Sequence, residues 1–166
     1  MVKEKLMSQF EPAIILLVED DAGDQKLIRQ SLRNEHIANE LKIVDDVQEA
    51  LMYLQRGKLG DSQCPMPDLV LLDLNMPGIE GKTLLKEIKA DPDLDTIPVV
   101  ILTTSDSETD ILDSFKLQAS GYIRKPITLE EFQRVITDMA DYWFVICKHI
   151  ERDKERKNDR NLCIAD

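Results

Sequence analysis

The sequence predicts an α/β fold: a five-stranded parallel sheet, doubly wound, with helices on both faces. Short aliphatic runs of strand length recur along the chain, and segments with apolar residues at helical spacing separate them. The two kinds of segment alternate five times in the order strand then helix. That alternation predicts parallel strands joined by right-handed helical crossovers.

Five segments are the predicted strands. Three are continuous aliphatic runs, AIILLV at 13–18, LVLL at 69–72 and VVIL at 99–102. Such runs are typical of strands that are buried on both faces of a parallel sheet. Two weaker candidates, LKIV at 41–44 and GYIR at 121–124, complete the sheet. None of the runs approaches the length of a membrane span.

Five segments between and after these strands repeat apolar residues with a helical period. The residues that mark them are Leu27, Ile28, Ser31 and Leu32; Ala50, Leu51 and Leu54; Leu84, Leu85 and Ile88; Ile111, Leu112 and Phe115; and Phe132, Val135, Ile136, Met139, Trp143, Ile146 and Ile150. The segment 55–67 is rich in Gly, Pro and polar residues, and we predict a long loop there.

The length of 166 residues predicts one domain at 13–147, an N-terminal extension at 1–12 and a charged C-terminal extension at 148–166 that continues the last helix and then frays. Acidic residues outnumber basic ones, 32 to 21, and a net charge of -11 argues against nucleic acid as a partner. The three cysteines are far apart, which indicates free thiols in a reducing compartment. With no apolar leader in the first 12 residues, we expect a cytoplasmic protein without a membrane partner.

Polar residues follow four of the predicted strands. They are Glu19, Asp20 and Asp21 after the first strand, Asp73 after the third, Thr103 after the fourth and Lys125 after the fifth. The carboxyl ends of parallel strands meet at one edge of the sheet, where the active crevice of such folds lies. We therefore expect carboxylates, a hydroxyl and an ammonium to converge there.

Clustered carboxylates repel one another, and a hard cation relieves the repulsion. Mg²⁺ prefers oxygen ligands and is commonly held by one or two carboxylates and several waters. A metal, a lysine, a hydroxyl and a free carboxylate suit phosphoryl transfer, with the carboxylate attacking in line.

Each of these residues has a simpler explanation when it is taken alone. Asp20 or Asp21 could be no more than a helix N-cap. Asp73 could be the first residue of a turn formed with the LNMPG that follows it. Thr103 could be an ordinary strand residue and Lys125 a solvated surface charge. The functional interpretation depends on the four positions lying at the ends of four different strands.

The segments ILLVEDD, LVLLDLNMPG, VVILTT and GYIRKP, in this order, resemble the receiver domains of two-component response regulators, which have a flavodoxin-like fold. The resemblance runs from about residue 13 to about residue 146. It implies that Asp73 is the phosphoacceptor and takes a phosphoryl group from a histidine kinase. Glu19 and Asp20 resemble the acidic pair that binds Mg²⁺ together with Asp73, and Asn75 resembles the residue that gives its backbone carbonyl to the metal.

The same resemblance implies the parts of a switch. Thr103 resembles the hydroxyl that moves to the phosphoryl group, Lys125 the lysine that pairs with a phosphoryl oxygen, and Tyr122 the aromatic residue that rotates inward on activation. The peptide bond before Pro126 is expected to be cis, against a base rate of about 5–6%. Asp21 is expected to be a helix cap or a supporting residue rather than a metal ligand.

A narrower resemblance links 55–67, 89–111 and KPITLEEF at 125–132 to single-domain regulators that partner phytochrome-like histidine kinases. Members of that subgroup dimerise through the fourth strand, the fifth strand and the fifth helix. The resemblance therefore implies a homodimer, whose face we assign to Tyr122, Tyr142, Trp143, Phe144 and Ile146. The alternative is a C-terminal helix that folds back over its own domain.

The expected function is a switch that signals to a downstream protein or a phosphotransfer domain, and not a turnover enzyme, although it could catalyse its own phosphorylation and dephosphorylation. A phosphorelay intermediate and a constitutive interaction module are the alternatives. A haloacid-dehalogenase-type phosphatase also uses an aspartyl nucleophile. That class usually has a second Asp two residues later, where this chain has Asn75, and no cap insertion is evident.

Overall fold

The computed structural model describes residues 12–33, 39–76, 81–104, 111, 113, 115–126 and 128–143. Five strands form one sheet: β1 (Ala13–Val18), β2 (Asn39–Val44), β3 (Leu69–Asp73), β4 (Val99–Thr103) and β5 (Gly121–Arg124). Every pair of neighbouring strands is parallel, in the order β2-β1-β3-β4-β5. The predicted doubly wound parallel sheet is confirmed.

In the described part of the chain, one complete helix follows each of the first three strands: α1 (Ala22–Arg33), α2 (Val47–Lys58) and α3 (Gly81–Ala90). Residues 111, 113, 115 and 116, in the predicted fourth helix, are also helical. A further helix, here called the last helix, follows β5 and is described from 129 to 143. The extensions predicted at 1–12 and 148–166 lie outside the described residues, apart from residue 12. In the part of the chain that is described, no helix has both the length and the apolar character that a membrane crossing requires.

Alternate residues of the strands supply two hydrophobic cores, one on each face of the sheet. On β1, Leu16 and Val18 join the core that packs α2 and α3, whereas Ile15 and Leu17 join the core that packs α1 and the last helix. Successive strand side chains point to opposite faces, so a strand buried on both sides must be apolar throughout. This explains the continuous aliphatic runs and leaves the strand ends for polar chemistry.

Side-chain caps fix where α1 and α2 begin. The Asp24 amide donates to Asp21 Oδ1 at 2.7 Å, so the cap expected at Asp21 is confirmed. At the start of α2, the Glu49 amide donates to Asp46 Oδ1 at 2.8 Å and the Asp45 amide donates to Glu49 Oε2 at 2.9 Å. Both caps hold the loops that follow β1 and β2 at the same edge of the sheet.

The loop predicted at 55–67 begins later than expected, because α2 continues to Lys58. Gly57 allows the returning chain to approach the helix: a Cβ at this position would lie 2.6 Å from the Cys64 carbonyl oxygen. The glycine therefore marks a close approach of two backbones and does not end the helix. Strand β2 also begins two residues earlier than the predicted 41–44.

The prediction of a cis peptide bond before Pro126 is wrong in this structure, since no peptide bond among the described residues is cis. The trans form is the lower-energy state of most X–Pro bonds, by about 0.5–1 kcal/mol. The trans bond still leaves the Lys125 side chain directed into the sheet edge, where it contacts three carboxylates.

Tyr53 fastens α2 to the following loop, because its hydroxyl donates to the Pro65 carbonyl oxygen at 2.7 Å. We expect Tyr53→Phe to lower the free energy of unfolding at pH 7 by about 1 kcal/mol, measured by urea denaturation. Burial raises the pKa of Tyr53 to about 12, from an ordinary value of 10.0. The fold therefore favours the neutral phenol, and this contribution is complete below pH 10 and is lost as the pH rises towards 12.

The matched control for this experiment is Tyr142→Phe, because Tyr142 is exposed. That variant should unfold at the wild-type urea concentration. Equal stability of Tyr53→Phe and the wild type at pH 7 would contradict the assigned role of the hydrogen bond.

Candidate functional site

The candidate site lies at the carboxyl edge of the sheet, where four strands end. Glu19 follows β1, Asp73 ends β3, Thr103 ends β4 and Lys125 follows β5. Strands β1 and β3 are neighbours, but the helices that follow them pack on opposite faces, α1 on one and α3 on the other. This is the switch point of the topology, where open α/β sheets form their crevice.

Lys125 is the centre of the site. Its Nζ lies 2.6 Å from Glu19 Oε2, 2.8 Å from Asp24 Oδ2 and 3.0 Å from Asp73 Oδ2. Only 8% of the Lys125 side chain is exposed. Its backbone is held as well, because the Lys125 amide donates to the Thr103 carbonyl oxygen at 2.7 Å. Burial by itself lowers the pKa of Lys125, but the hydrogen bonds that its ammonium donates to Asp24 and Glu19 and the negative charges of Glu19 and Asp73 outweigh burial, and the net pKa is raised. The ammonium is therefore charged at physiological pH.

Glu19 is fully buried. Burial raises its pKa to about 7, although the Lys125 ammonium opposes this shift and the charge of Asp73 adds to it. Its Oε1 also accepts a hydrogen bond from the Asp21 amide at 3.1 Å. A carboxylate in this environment needs a cation beside it, because a buried unpaired charge is costly.

Asp73 is also buried, and its two oxygens have different partners. Oδ1 accepts a hydrogen bond from the Asn75 amide at 2.9 Å, and Oδ2 contacts Lys125. The Asn75 side chain donates a hydrogen bond from Nδ2 to Thr104 Oγ1 at 2.7 Å. This bond joins the loop after β3 to the end of β4, next to the Asp73 carboxylate.

Two further residues belong to this site, and neither was predicted from the sequence. Asp24 contacts Lys125 from the first turn of α1. Gln25 donates from Nε2 to the Glu19 carbonyl oxygen at 2.6 Å and to Asp45 Oδ1 at 2.8 Å, and so links the loops that follow β1 and β2.

Thr103 and Tyr122 lie on adjacent strands. Thr103 is fully buried at the end of β4, and in the register of the two strands Tyr122 pairs with Ile101. The Tyr122 ring is partly buried and packs against the core on the α2 and α3 face. These positions are compatible with the switch roles that the resemblance implies.

The predicted dimer face is described only in part. Tyr142 is 62% exposed, and its ring meets that of Trp143 edge to face with centroids 5.6 Å apart. Trp143 also packs against the core of its own chain. Phe144 and Ile146 lie outside the described residues.

The acidic residues fit a divalent cation. Glu19, Asp20 and Asp73 each offer a carboxylate oxygen, and these oxygens all lie within 4.8 Å of one another. The donor set consists of hard oxygen atoms, which suits Mg²⁺ or Mn²⁺. Asp20 is exposed, so water can complete the coordination of an ion.

Comparison with known proteins places the chain in a family. Residues 15–137 match the family model of the response regulator receiver domain. The response regulator Rcp1 of Synechocystis sp. is 40% identical over 133 residues, which cover 80% of this chain and 89% of Rcp1.

Solved structures agree with this assignment. The crystal structure of the Mn²⁺-bound form of Rcp1 has a TM-score of 0.74 at 39% identity and covers 80% of this chain and 94% of that one. The phosphorylated cyanobacterial phytochrome response regulator RcpA has a TM-score of 0.75 at 38% identity, with 81% and 95% covered. The family match covers most of the sheet and the strand ends that carry Glu19, Asp73, Thr103 and Lys125, and the chain belongs to the response regulator receiver domain family.

Proposed function

We propose that this protein is a single-domain response regulator that accepts a phosphoryl group on Asp73 from a histidine kinase. The observation that carries the proposal is the position of the Asp73 carboxylate: it is buried, lies 3.0 Å from the Lys125 ammonium and is grouped with Glu19 and Asp20. In the transfer, the P–N bond of a phosphohistidine breaks as a P–O bond forms to the Asp73 carboxylate, and the imidazole is the leaving group.

Glu19, Asp20 and Asp73 would hold Mg²⁺, and the Asn75 backbone carbonyl is the fourth ligand that we propose. The bound ion would neutralise charge on the phosphoryl oxygens. Lys125 places a second positive charge at the same carboxylate. The Asn75 amide fixes the rotation of the Asp73 side chain through its bond to Oδ1.

The signal would leave the site as a conformational change. A phosphoryl group adds up to about two negative charges and strong acceptor oxygens, which Thr103 and Lys125 can satisfy by moving towards it. The buried Thr103 hydroxyl lies one strand away from Tyr122, and the ring of Tyr122 is only partly buried. Phosphorylation would then shift an existing equilibrium towards a state with an inward Tyr122 ring.

The relatives support the choice of partner. RcpA is a phytochrome response regulator by its description, and we infer a phytochrome-like histidine kinase as the phosphodonor of this chain. The output would be contact with a downstream protein or a phosphotransfer domain in the cytoplasm. The net charge of -11 does not favour nucleic acid as a partner.

The first test is incubation with acetyl phosphate and Mg²⁺, followed by intact mass spectrometry. We expect the wild type to gain one phosphoryl group and Asp73→Asn to gain none. Asp93→Asn is the matched control, because Asp93 is an exposed carboxylate outside the site, and it should still be labelled. A gain that survives Asp73→Asn, or no gain by the wild type, would contradict the proposal.

The metal prediction is tested by thermal unfolding with and without millimolar Mg²⁺. A ligand that binds only the folded state raises the melting temperature, so the wild type should be stabilised. Asp20→Asn should lose most of this increase. Asp21→Asn should keep it, because Asp21 caps α1 and Asn is an equally good cap. An equal loss in both variants would mean that overall charge, and not the proposed site, binds the ion.

We also expect a homodimer that uses the exposed ring of Tyr142. Sedimentation velocity, with and without beryllofluoride, should show a dimer in at least one condition, and Tyr142→Glu should remove it. Met52→Glu places the same charge at an exposed apolar residue of α2 and should leave the dimer intact. A wild-type monomer in both conditions would exclude the dimer.

A further inference from the structure

We propose that Asp24 competes with the phosphoryl group for the Lys125 ammonium and thereby weakens the hold of the site on that group. This inference rests on the proposed function of Asp73. It assigns a regulatory role to a residue on α1 that is outside the set of proposed metal ligands.

Asp24 differs from Glu19 and Asp73, the other two carboxylates that contact Lys125. Glu19 and Asp73 belong to the group of carboxylates whose oxygens converge within 4.8 Å, and Asp24 does not. A divalent cation held by that group would take up the negative charge of Glu19 and Asp73. Asp24, at 2.8 Å from Nζ, would then remain as the carboxylate that keeps Lys125 paired.

The backbone of Asp24 is held by its surroundings. Its backbone amide is bonded to Asp21 Oδ1 in the first turn of α1. The next residue, Gln25, ties the same turn to the Glu19 carbonyl and to Asp45. The backbone of Asp24 therefore stays in place with α1, and the ion pair lengthens when Lys125 turns away from it towards a phosphoryl oxygen.

Two electrostatic effects act in the same direction. The Asp24 carboxylate attracts the ammonium that a phosphoryl group needs, and it also repels the added negative charge directly. Its side chain is 33% exposed, so solvent weakens both effects without removing them. Removal of this one charge should tighten the binding of a phosphoryl mimic.

Beryllofluoride with Mg²⁺ is the probe, and its apparent dissociation constant is measured by NMR titration. We expect Asp24→Asn to bind it roughly three- to fivefold more tightly than the wild type, the range of a partly exposed ion pair. Asp24→Ser removes the same charge with a different side chain and must shift the constant in the same direction. Asp21→Asn removes a charge three residues away and should change it much less.

A double-mutant cycle separates competition for Lys125 from general electrostatics. In a Lys125→Met background, Asp24→Asn should have a much smaller effect than in the wild type, because only the direct repulsion remains. Unchanged or weaker binding by both Asp24 variants would overturn the inference, and so would a full effect that persists without Lys125. If the wild type does not bind beryllofluoride, the proposed function fails as well. If wild-type binding is normal, only the role of Asp24 is at issue.

Discussion

The site depends on one ammonium that neutralises carboxylates from three separate segments. Lys125 contacts Glu19 after β1, Asp24 in α1 and Asp73 at the end of β3. Without it, a fully buried glutamate and a buried aspartate would lie together uncompensated, at a cost of several kcal/mol by order of magnitude. The negative charge is not balanced, because one ammonium contacts three carboxylates and the carboxylate of Asp20 lies beside Glu19 and Asp73. That excess of negative charge is what makes the site suited to a divalent cation.

The sheet makes this arrangement possible because its apolar residues lie within the strands and its polar residues lie at the strand ends. The interiors of β1, β3 and β4 are aliphatic because both of their faces are covered, and the ionisable groups of the site lie at the strand ends. The order β2-β1-β3-β4-β5 then places β1, β3, β4 and β5 side by side, so that four polar ends share one edge. Caps at Asp21 and Asp46 and the Gln25 side chain hold the adjoining loops against that edge.

The sequence was sufficient to predict the sheet and the residues at its edge, because continuous aliphatic runs and the polar residues after them are local signals. Asp24 was missed because a single acidic residue in the first turn of a helix is favourable for the helix dipole alone. Its contact with Lys125 joins positions 101 residues apart and depends on tertiary structure. The early start assigned to the loop at 55–67 has the same cause: a glycine is unfavourable inside a helix, and the close approach of the Cys64 carbonyl that requires Gly57 depends on tertiary structure. The wrong cis assignment at Pro126 came from analogy and not from any local signal.

The most direct test of the account is to find which residue carries the phosphoryl group after transfer from a phosphorylated histidine kinase. Borohydride reduces an aspartyl phosphate to homoserine, and peptide mapping by mass spectrometry then locates the change. We expect homoserine at position 73 in the wild type and none in Lys125→Met after a brief exposure to the kinase, because the ammonium is needed at the acceptor carboxylate. Conversion at another aspartate, or full conversion at 73 without Lys125, would contradict it.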